Sequence, residues 1–194
     1  MKFKIIAAAA IAAVVLALAS GAFAQFESTD TSPMGVGITM FRPSSARLKS
    51  LGGNWLGATL QFHVKRDELE RPNALVSIGW FSADKTATRA SIVPFGFTMI
   101  KRFGAQESCW YVGGGLDMFF VHFQDVEFDP ATFSYRSVSD NGTKFGYNLA
   151  FGREFGSGWY FEAKRNSIAK LSHKTGGSID FSGWSITVGS RLAY

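Results

Sequence analysis

The sequence predicts an all-β protein, an eight-stranded antiparallel transmembrane up-and-down β-barrel. Three observations predict it: an export leader with no second hydrophobic span, eight segments alternating bulky apolar with small or polar residues, and segment lengths of mostly 9 to 13 residues. Length discriminates best. Tilted membrane strands need about 9 to 11 residues, whereas globular strands average nearer 5 or 6. Alternation alone fits a soluble sandwich equally well. Eight is even, and it is the smallest size of single-chain bacterial outer-membrane barrels.

The leader comes first. MKFK carries two lysines, IIAAAAIAAVVLALA follows at 5–19, and SGAFA then places Ala22 and Ala24 as in an A-x-A cleavage site. This is the layout of a secretory signal peptide, so residues 1–24 are expected to be removed and 25–194 to form the barrel domain. Lys2 and Lys4 leave with the leader, so 20 basic side chains become 18 against 15 acidic, and the net charge falls from +5 to +3. The remaining basic residues are not gathered into a patch, which argues against nucleic acid as a partner. The single cysteine, Cys109, excludes an intramolecular disulfide and a multi-cysteine zinc site. No cysteine follows the leader's apolar run, which excludes a lipoprotein.

The eight segments follow in order. PMGVGITMF (33–41) sets Met34, Val36, Ile38 and Met40 against Gly35, Gly37 and Thr39. WLGATLQFHV (55–64) sets Leu56, Ala58, Leu60, Phe62 and Val64 against Gly57, Thr59, Gln61 and His63. NALVSIGWF (73–81) puts Ala74, Val76, Ile78 and Trp80 on one side. SIVPFGFTMIKRF (91–103) does so with Val93, Phe95, Phe97 and Met99, and Pro94 predicts a bulge or strand end, because proline cannot donate to a ladder. SCWYVGGGLDMFFVHF (108–123) opposes Trp110, Val112, Leu116, Met118 and Phe120 to Tyr111, Gly113, Gly115 and Asp117. TKFGYNLAFGREF (143–155) opposes Phe145, Tyr147, Leu149 and Phe151 to Lys144, Gly146, Asn148, Ala150 and Gly152. WYFEAKRNSI (159–168) opposes Trp159, Phe161 and Ala163 to Tyr160, Glu162, Lys164 and Asn166. The last, FSGWSITVGSRLAY (181–194), runs Trp184, Ile186, Val188 down one face and ends on Tyr194.

Periodicity does not say which face is inside, but volume does. An eight-stranded barrel has room only for side chains. Bulky aromatics repeated on eight strands overfill it, whereas Gly, Ala, Ser, Thr and Asn fit. The bulky face is therefore expected to meet lipid. Lipid offers no partner to backbone N–H or C=O, so the last strand must pair with the first. Trp55, Trp80, Trp110, Trp159, Trp184 and Tyr194 lie near strand ends and are expected at the membrane–water interface, joined by Tyr111 and Tyr160 where those face outward. With both termini periplasmic, the outer connections fall at 42–54, 82–90, 124–142 and 169–180 and the inner ones at 65–72, 104–108 and 156–158.

The final run W-x-I-x-V-x-S-x-L-x-Y, ending at Tyr194, resembles the C-terminal signature of bacterial outer-membrane proteins. YVGGGLDMFF (111–120) and TKFGYNLAFGREFGSGWYFEAKR (143–165) resemble strands of small outer-membrane β-barrel domain proteins, the OmpA-transmembrane-domain and OmpW-like class. The likeness covers roughly residues 33–194. It implies an outer-membrane location, insertion by the barrel-assembly machinery through the C-terminal strand, a lipid environment and a monomer. It also implies a range of roles: structural, adhesive, channels for small apolar solutes, or lipid-modifying enzymes.

Within the residues themselves little points to catalysis. The polar faces place His63, Asp117, Lys144, Glu154, Glu162, Lys164 and Arg191 in or near the lumen, where ions must find partners because unpaired buried charge is costly. Glu162 with Lys164, and Asp117 with Lys144, are the expected pairs. His63, His122 and His173 share no metal-ligand spacing, so no metal and no cofactor is expected. LSHKTGG (171–177) has serine before histidine and lacks the His-x-Ser-Asn run of an outer-membrane lipid A deacylase; Ser172, His173 and a carboxylate could still meet in an outer loop. NGT (141–143) matches a glycosylation triplet, and DNG reads as a turn. The function expected is non-enzymatic: structural, adhesive or receptor-like, with a filled lumen. The alternatives are a narrow or lateral route for small apolar solutes and a barrel enzyme. Phe41, Phe81 and Phe119 fall on inward faces, as a plug or as the lining of an apolar pocket beneath the outer loops.

Overall fold

The computed structural model describes residues 34–64, 73–105, 108–130, 132–155, 157–174 and 176–192. The expected signal peptide, the charged connection at 65–72 and Tyr194 lie outside them. Eight strands form the wall: β1 (Met34–Pro43), β2 (Trp55–Val64), β3 (Asn73–Lys85), β4 (Thr88–Ala105), β5 (Ser108–Asp129), β6 (Ser134–Phe155), β7 (Trp159–Ile168) and β10 (Gly183–Arg191). A one-turn helix, α1 (Ala46–Lys49), lies between β1 and β2, and a small hairpin, β8 (Leu171–Ser172) with β9 (Ser178–Ile179), lies between β7 and β10.

All neighbours pair antiparallel, and the sheet closes where β1 meets β10, in the order β1-β10-β7-β6-β5-β4-β3-β2. Closure pairs Thr39 with Thr187 and Met40 with Ile186, which puts the small faces of both strands on the same side. The alternation then resolves by size. Ile38 is 72% exposed and Leu116 74%, while Thr39 and Gln61 are fully buried. The bulky face points out and the small polar face points in, apart from an aromatic group in the upper lumen and Leu75, Ile100 and Tyr111 lower down. "Lower" here means the end where β1 starts and β10 finishes, and "upper" the opposite end.

Two sequence expectations are corrected. Pro94 makes neither a bulge nor a strand end. Between β3 and β4 the pairs Ile78–Phe95 and Phe81–Ile92 keep one register, with the two pairs between them absent. Towards β5, Pro94 pairs with Phe119 in an unbroken ladder. The missing N–H thus costs only contacts on one side, and β4 runs straight through. The outer connections at 82–90 and 124–142 are also strand rather than loop. β3 and β4 continue to a two-residue turn, where Thr86 takes a left-handed φ of 55°. β5 and β6 each run 22 residues and pair from Ser108–Phe155 up to Asp129–Ser134. The β6–β7 ladder stops at Gly146–Ile168, so this hairpin rises well above the barrel wall.

Candidate functional site

The candidate site is the lumen, which is filled in three layers, together with a polar cluster at its upper mouth. The lower layer centres on Glu154 of β6. Its carboxylate accepts from Arg102 Nε at 2.9 Å and from Arg191 Nη2 at 2.6 Å, and lies 3.2 Å from His63 Nε2. His63 in turn is held between the two arginines, with Arg102 Nη2 2.5 Å from Nδ1 and Arg191 Nη2 against Nε2. Strands β2, β4 and β10 are thereby tied to β6 through one carboxylate. Gly152 is required here: the Tyr111 ring lies where a Cβ at that position would stand.

The middle layer is a hydrogen-bonded disc. Gln61 donates to Glu162 at 3.1 Å, Tyr111 donates to its other oxygen at 3.0 Å, and Lys164 lies 3.6 Å away. Lys164 reaches Ser77 at 3.4 Å. Asn148 donates to Asp117 at 2.6 Å and accepts from Thr98 at 3.1 Å. Thr39 joins Thr59 and Thr187 at 2.7 and 2.8 Å. The void left among these groups is about 20 Å³, room for one water. Among the described residues Gln61 Oε1, Tyr160 Oη and Arg191 Nη1 are buried without a hydrogen-bond partner, polar atoms of the kind that internal water satisfies.

The upper layer is aromatic. Phe41 stacks on Phe81 with centroids 5.4 Å apart and meets Trp55 edge-on at 5.7 Å. Phe119 is buried in the same cluster, which continues upward through Phe123, Leu171 and Phe181. Of the two readings of the inward phenylalanines, the rings fill the upper lumen rather than line a pocket.

Above this plug, His173 is enclosed. Its Nδ1 meets Asp140 of β6, and its Nε2 lies 3.0 Å from Glu127 of β5 and 3.0 Å from Arg47 of α1. Arg47 also donates to Asp125 at 3.1 Å, and Thr88 donates to the same carboxylate at 2.7 Å. Burial alone would raise the Asp125 carboxyl, but the Thr88 hydroxyl, the Arg47 guanidinium and the Val126 N–H together hold it below its ordinary value. Four outer segments are latched by this network. A cleft of about 280 Å³ opens between α1 and the β3–β4 turn, floored by Leu51 and Phe123.

Several expected site residues stand elsewhere. Lys144 does not pair with Asp117: the register sets Asp117 opposite Gly146 and Lys144 opposite Phe119, one inward position higher, beside the plug. Lys144 makes no ion pair among the described residues. Trp55 is not at the outer surface. It is 1% exposed, because its phase is that of Gly57 and Thr59, and it packs inside against Phe41. Tyr111 and Tyr160 are likewise inside. Trp80, Trp159 and Trp184 face out and are exposed, and Trp110, also outward, is half covered by Phe151 and the Arg153 guanidinium. Ser172 is exposed on β8, and the atoms facing His173 are two carboxylates and a guanidinium rather than a hydroxyl, so no Ser–His pair forms. The described residues contain no group of His, Cys, Asp and Glu arranged to hold a metal. The Asp140–His173–Glu127 latch was missed because its members are 33 and 46 residues apart in sequence.

No protein-family model and no curated protein sequence matches the chain. Solved structures do. Neisserial surface protein A (NspA) superposes with a TM-score of 0.59 at 13% identity, covering 83% of this chain and 96% of that one. The N-terminal β-barrel domain of Pseudomonas aeruginosa OprF gives 0.46 at 11% identity, covering 86% and 100%. Ail, the attachment invasion locus protein of Yersinia pestis, in complex with the heparin analogue sucrose octasulfate, gives 0.42 at 14% identity, covering 83% and 97%. At 13% identity the likeness to NspA is one of fold: an eight-stranded antiparallel barrel, closed first strand to last.

Proposed function

We propose that the mature chain is an integral outer-membrane barrel with a closed lumen, non-enzymatic, serving a structural, adhesive or receptor-like role through its upper hairpins. The observation that carries this reading is the inverted distribution of residues. A closed barrel wears its Phe, Trp, Leu, Ile and Val outside and buries Thr, Gln, Asp, Glu, Lys and Asn inside. In water such a surface would be a large aggregation-prone patch. In a bilayer it is the apolar band that a membrane barrel needs, and closure leaves no strand edge within it.

The upper end is the extracellular one in this reading. It carries α1, the β8–β9 hairpin and the 22-residue strands, whereas the lower turn at 156–158 is short. Both termini are then periplasmic, the leader is cleaved after Ala24, and the last strand addresses the assembly machinery. Trp80, Trp110, Trp159 and Trp184 would sit at the two interfaces. A single barrel satisfies its own backbone, so a monomer suffices. Fractionation after salt and carbonate washing tests the location. Retention in the outer membrane, with a heat-modifiable band on gels, is expected. Recovery in the soluble periplasm would sink the proposal.

A further inference from the structure

We infer that three side chains on the outward face of β1, β10 and β7, Arg42, Trp184 and Arg165, form a site for the phosphate group of a lipid headgroup. The inference rests on the membrane reading above and adds to it a specific binding position. Register brings the three together: Arg42 pairs with Trp184 and Trp184 with Arg165. All three share the outward phase of Ile186 and Val188, two residues along from the apolar rung Met40–Ile186–Ala163. The rung therefore stands at the upper rim of the apolar band.

The geometry suits one anion. Adjacent strands lie about 4.8 Å apart, so the two arginine backbones are about 10 Å apart, a gap that two converging arginine side chains close over the indole between them. Arg165 is already positioned. Its Nη1 donates to Ser44 Oγ at 2.7 Å and its guanidinium carbon lies 5.8 Å from the Trp184 ring centre. That leaves most of its five N–H groups unengaged. Arg42 is exposed and has no hydrogen-bond or ion-pair partner among the described residues.

Charge balance marks this rung among those of the upper end. Arg47 is matched by Asp125, Arg102 and Arg191 by Glu154, and at the upper end of β3 and β4 the outward Arg89 stands across from Asp84. Among the described residues no carboxylate pairs with Arg42 or Arg165. Two unmatched guanidinium groups beside a low-dielectric layer attract an anion strongly, and the guanidinium fork matches phosphate oxygens two at a time. An occupant whose tail lies along Met40 and Ile186 carries its headgroup at this height. A lipid phosphate has the required charge, position and apolar anchor together.

The test is native mass spectrometry of the refolded, detergent-solubilised barrel, titrated with a bisphosphorylated glycolipid and with the same glycolipid dephosphorylated. The phosphorylated form is expected to bind about tenfold more tightly or better, and R42Q/R165Q to remove that preference, while R89Q keeps it. Equal binding of the two glycolipids, or an unchanged preference in R42Q/R165Q, would overturn the site. Displacement of the glycolipid by inorganic phosphate alone at comparable concentration would overturn its assignment to lipid. Folding is read separately from heat modifiability, so a chain that never enters detergent or bilayer as a barrel refutes the membrane reading, whereas a folded barrel without phosphate preference refutes only this site.

Discussion

At the scale of single residues the lower lumen depends on Glu154. One carboxylate answers Arg102 and Arg191 and also faces His63. Removing its charge while keeping its shape leaves two guanidinium groups repelling each other in a confined space. Breaking a buried pair costs about 3–5 kcal/mol, and the low end applies because Glu154 keeps 19% of its side-chain surface. E154Q is expected to lose about 3 kcal/mol of stability, read as a lowered urea midpoint for the barrel in vesicles. A midpoint within error of the parent would show that Arg102 and Arg191 are satisfied by solvent instead. Outside the barrel the sign of a charge matters differently. Ile38 is exposed in the middle of β1, and under the proposed membrane reading an arginine there would sit in lipid. I38R is expected to cost about 2–4 kcal/mol on the same assay, the range for a cation at the bilayer midplane. A neutral outcome would mean that this face meets water.

At the scale of elements, the barrel strands were legible and the upper hairpins were not, for a physical reason. The bulky-small alternation that marks a strand comes from the contrast between the barrel's outer face and its lumen. Above the band both faces of β5 and β6 mix apolar with polar residues, Phe123 buried on one and Phe128 exposed on the other, and the contrast fades. Asp140, Asn141 and Gly142 read as a turn, yet they pair in β6 with Phe123, His122 and Val121. Asp140 is fixed by His173, a contact that no local pattern announces. Trp55 shows the converse limit: its position at a strand end suggested an interface, although its phase already put it inside. The latch around Asp125 makes a pH prediction at this scale. Its carboxyl is held below the ordinary value in the folded chain, so it contributes stability that is complete above the unfolded value. That contribution is lost as pH falls from about 4 through the lower folded value. Hydrogen-exchange protection of the Val126 amide, which donates to Asp125 at 2.9 Å, should fall across that window. D125N should lack the step. A step of equal size in D125N would assign it to another carboxylate.

For the whole molecule, strand number and face assignment together decide whether the barrel conducts. Eight strands leave an interior that side chains fill, and here they fill it in three separate layers. The Phe41–Phe81–Trp55 rings close the top, the Gln61–Glu162–Lys164–Tyr111 disc closes the middle, and Glu154 with its arginines closes the bottom. The two lower layers balance each other's charge, Arg102 and Arg191 with Glu154 below against Lys164 with Glu162 and Asp117 in the middle, so an ion entering either would have to displace a partner already at hydrogen-bond distance. Purified barrel refolded into a planar bilayer is therefore expected to give no stable open-channel steps. F41A/F81A should stay silent too, because removing the upper rings leaves the two polar layers in place. Conduction should appear only when Tyr111, Lys164 and Arg102 are truncated in addition, since the first two reach into the middle disc from β5 and β7 and the third into the bottom layer from β4. Ohmic steps from the parent chain would defeat the closed-lumen reading outright. Steps from F41A/F81A alone would show that the polar layers part easily and that the aromatic plug is the seal.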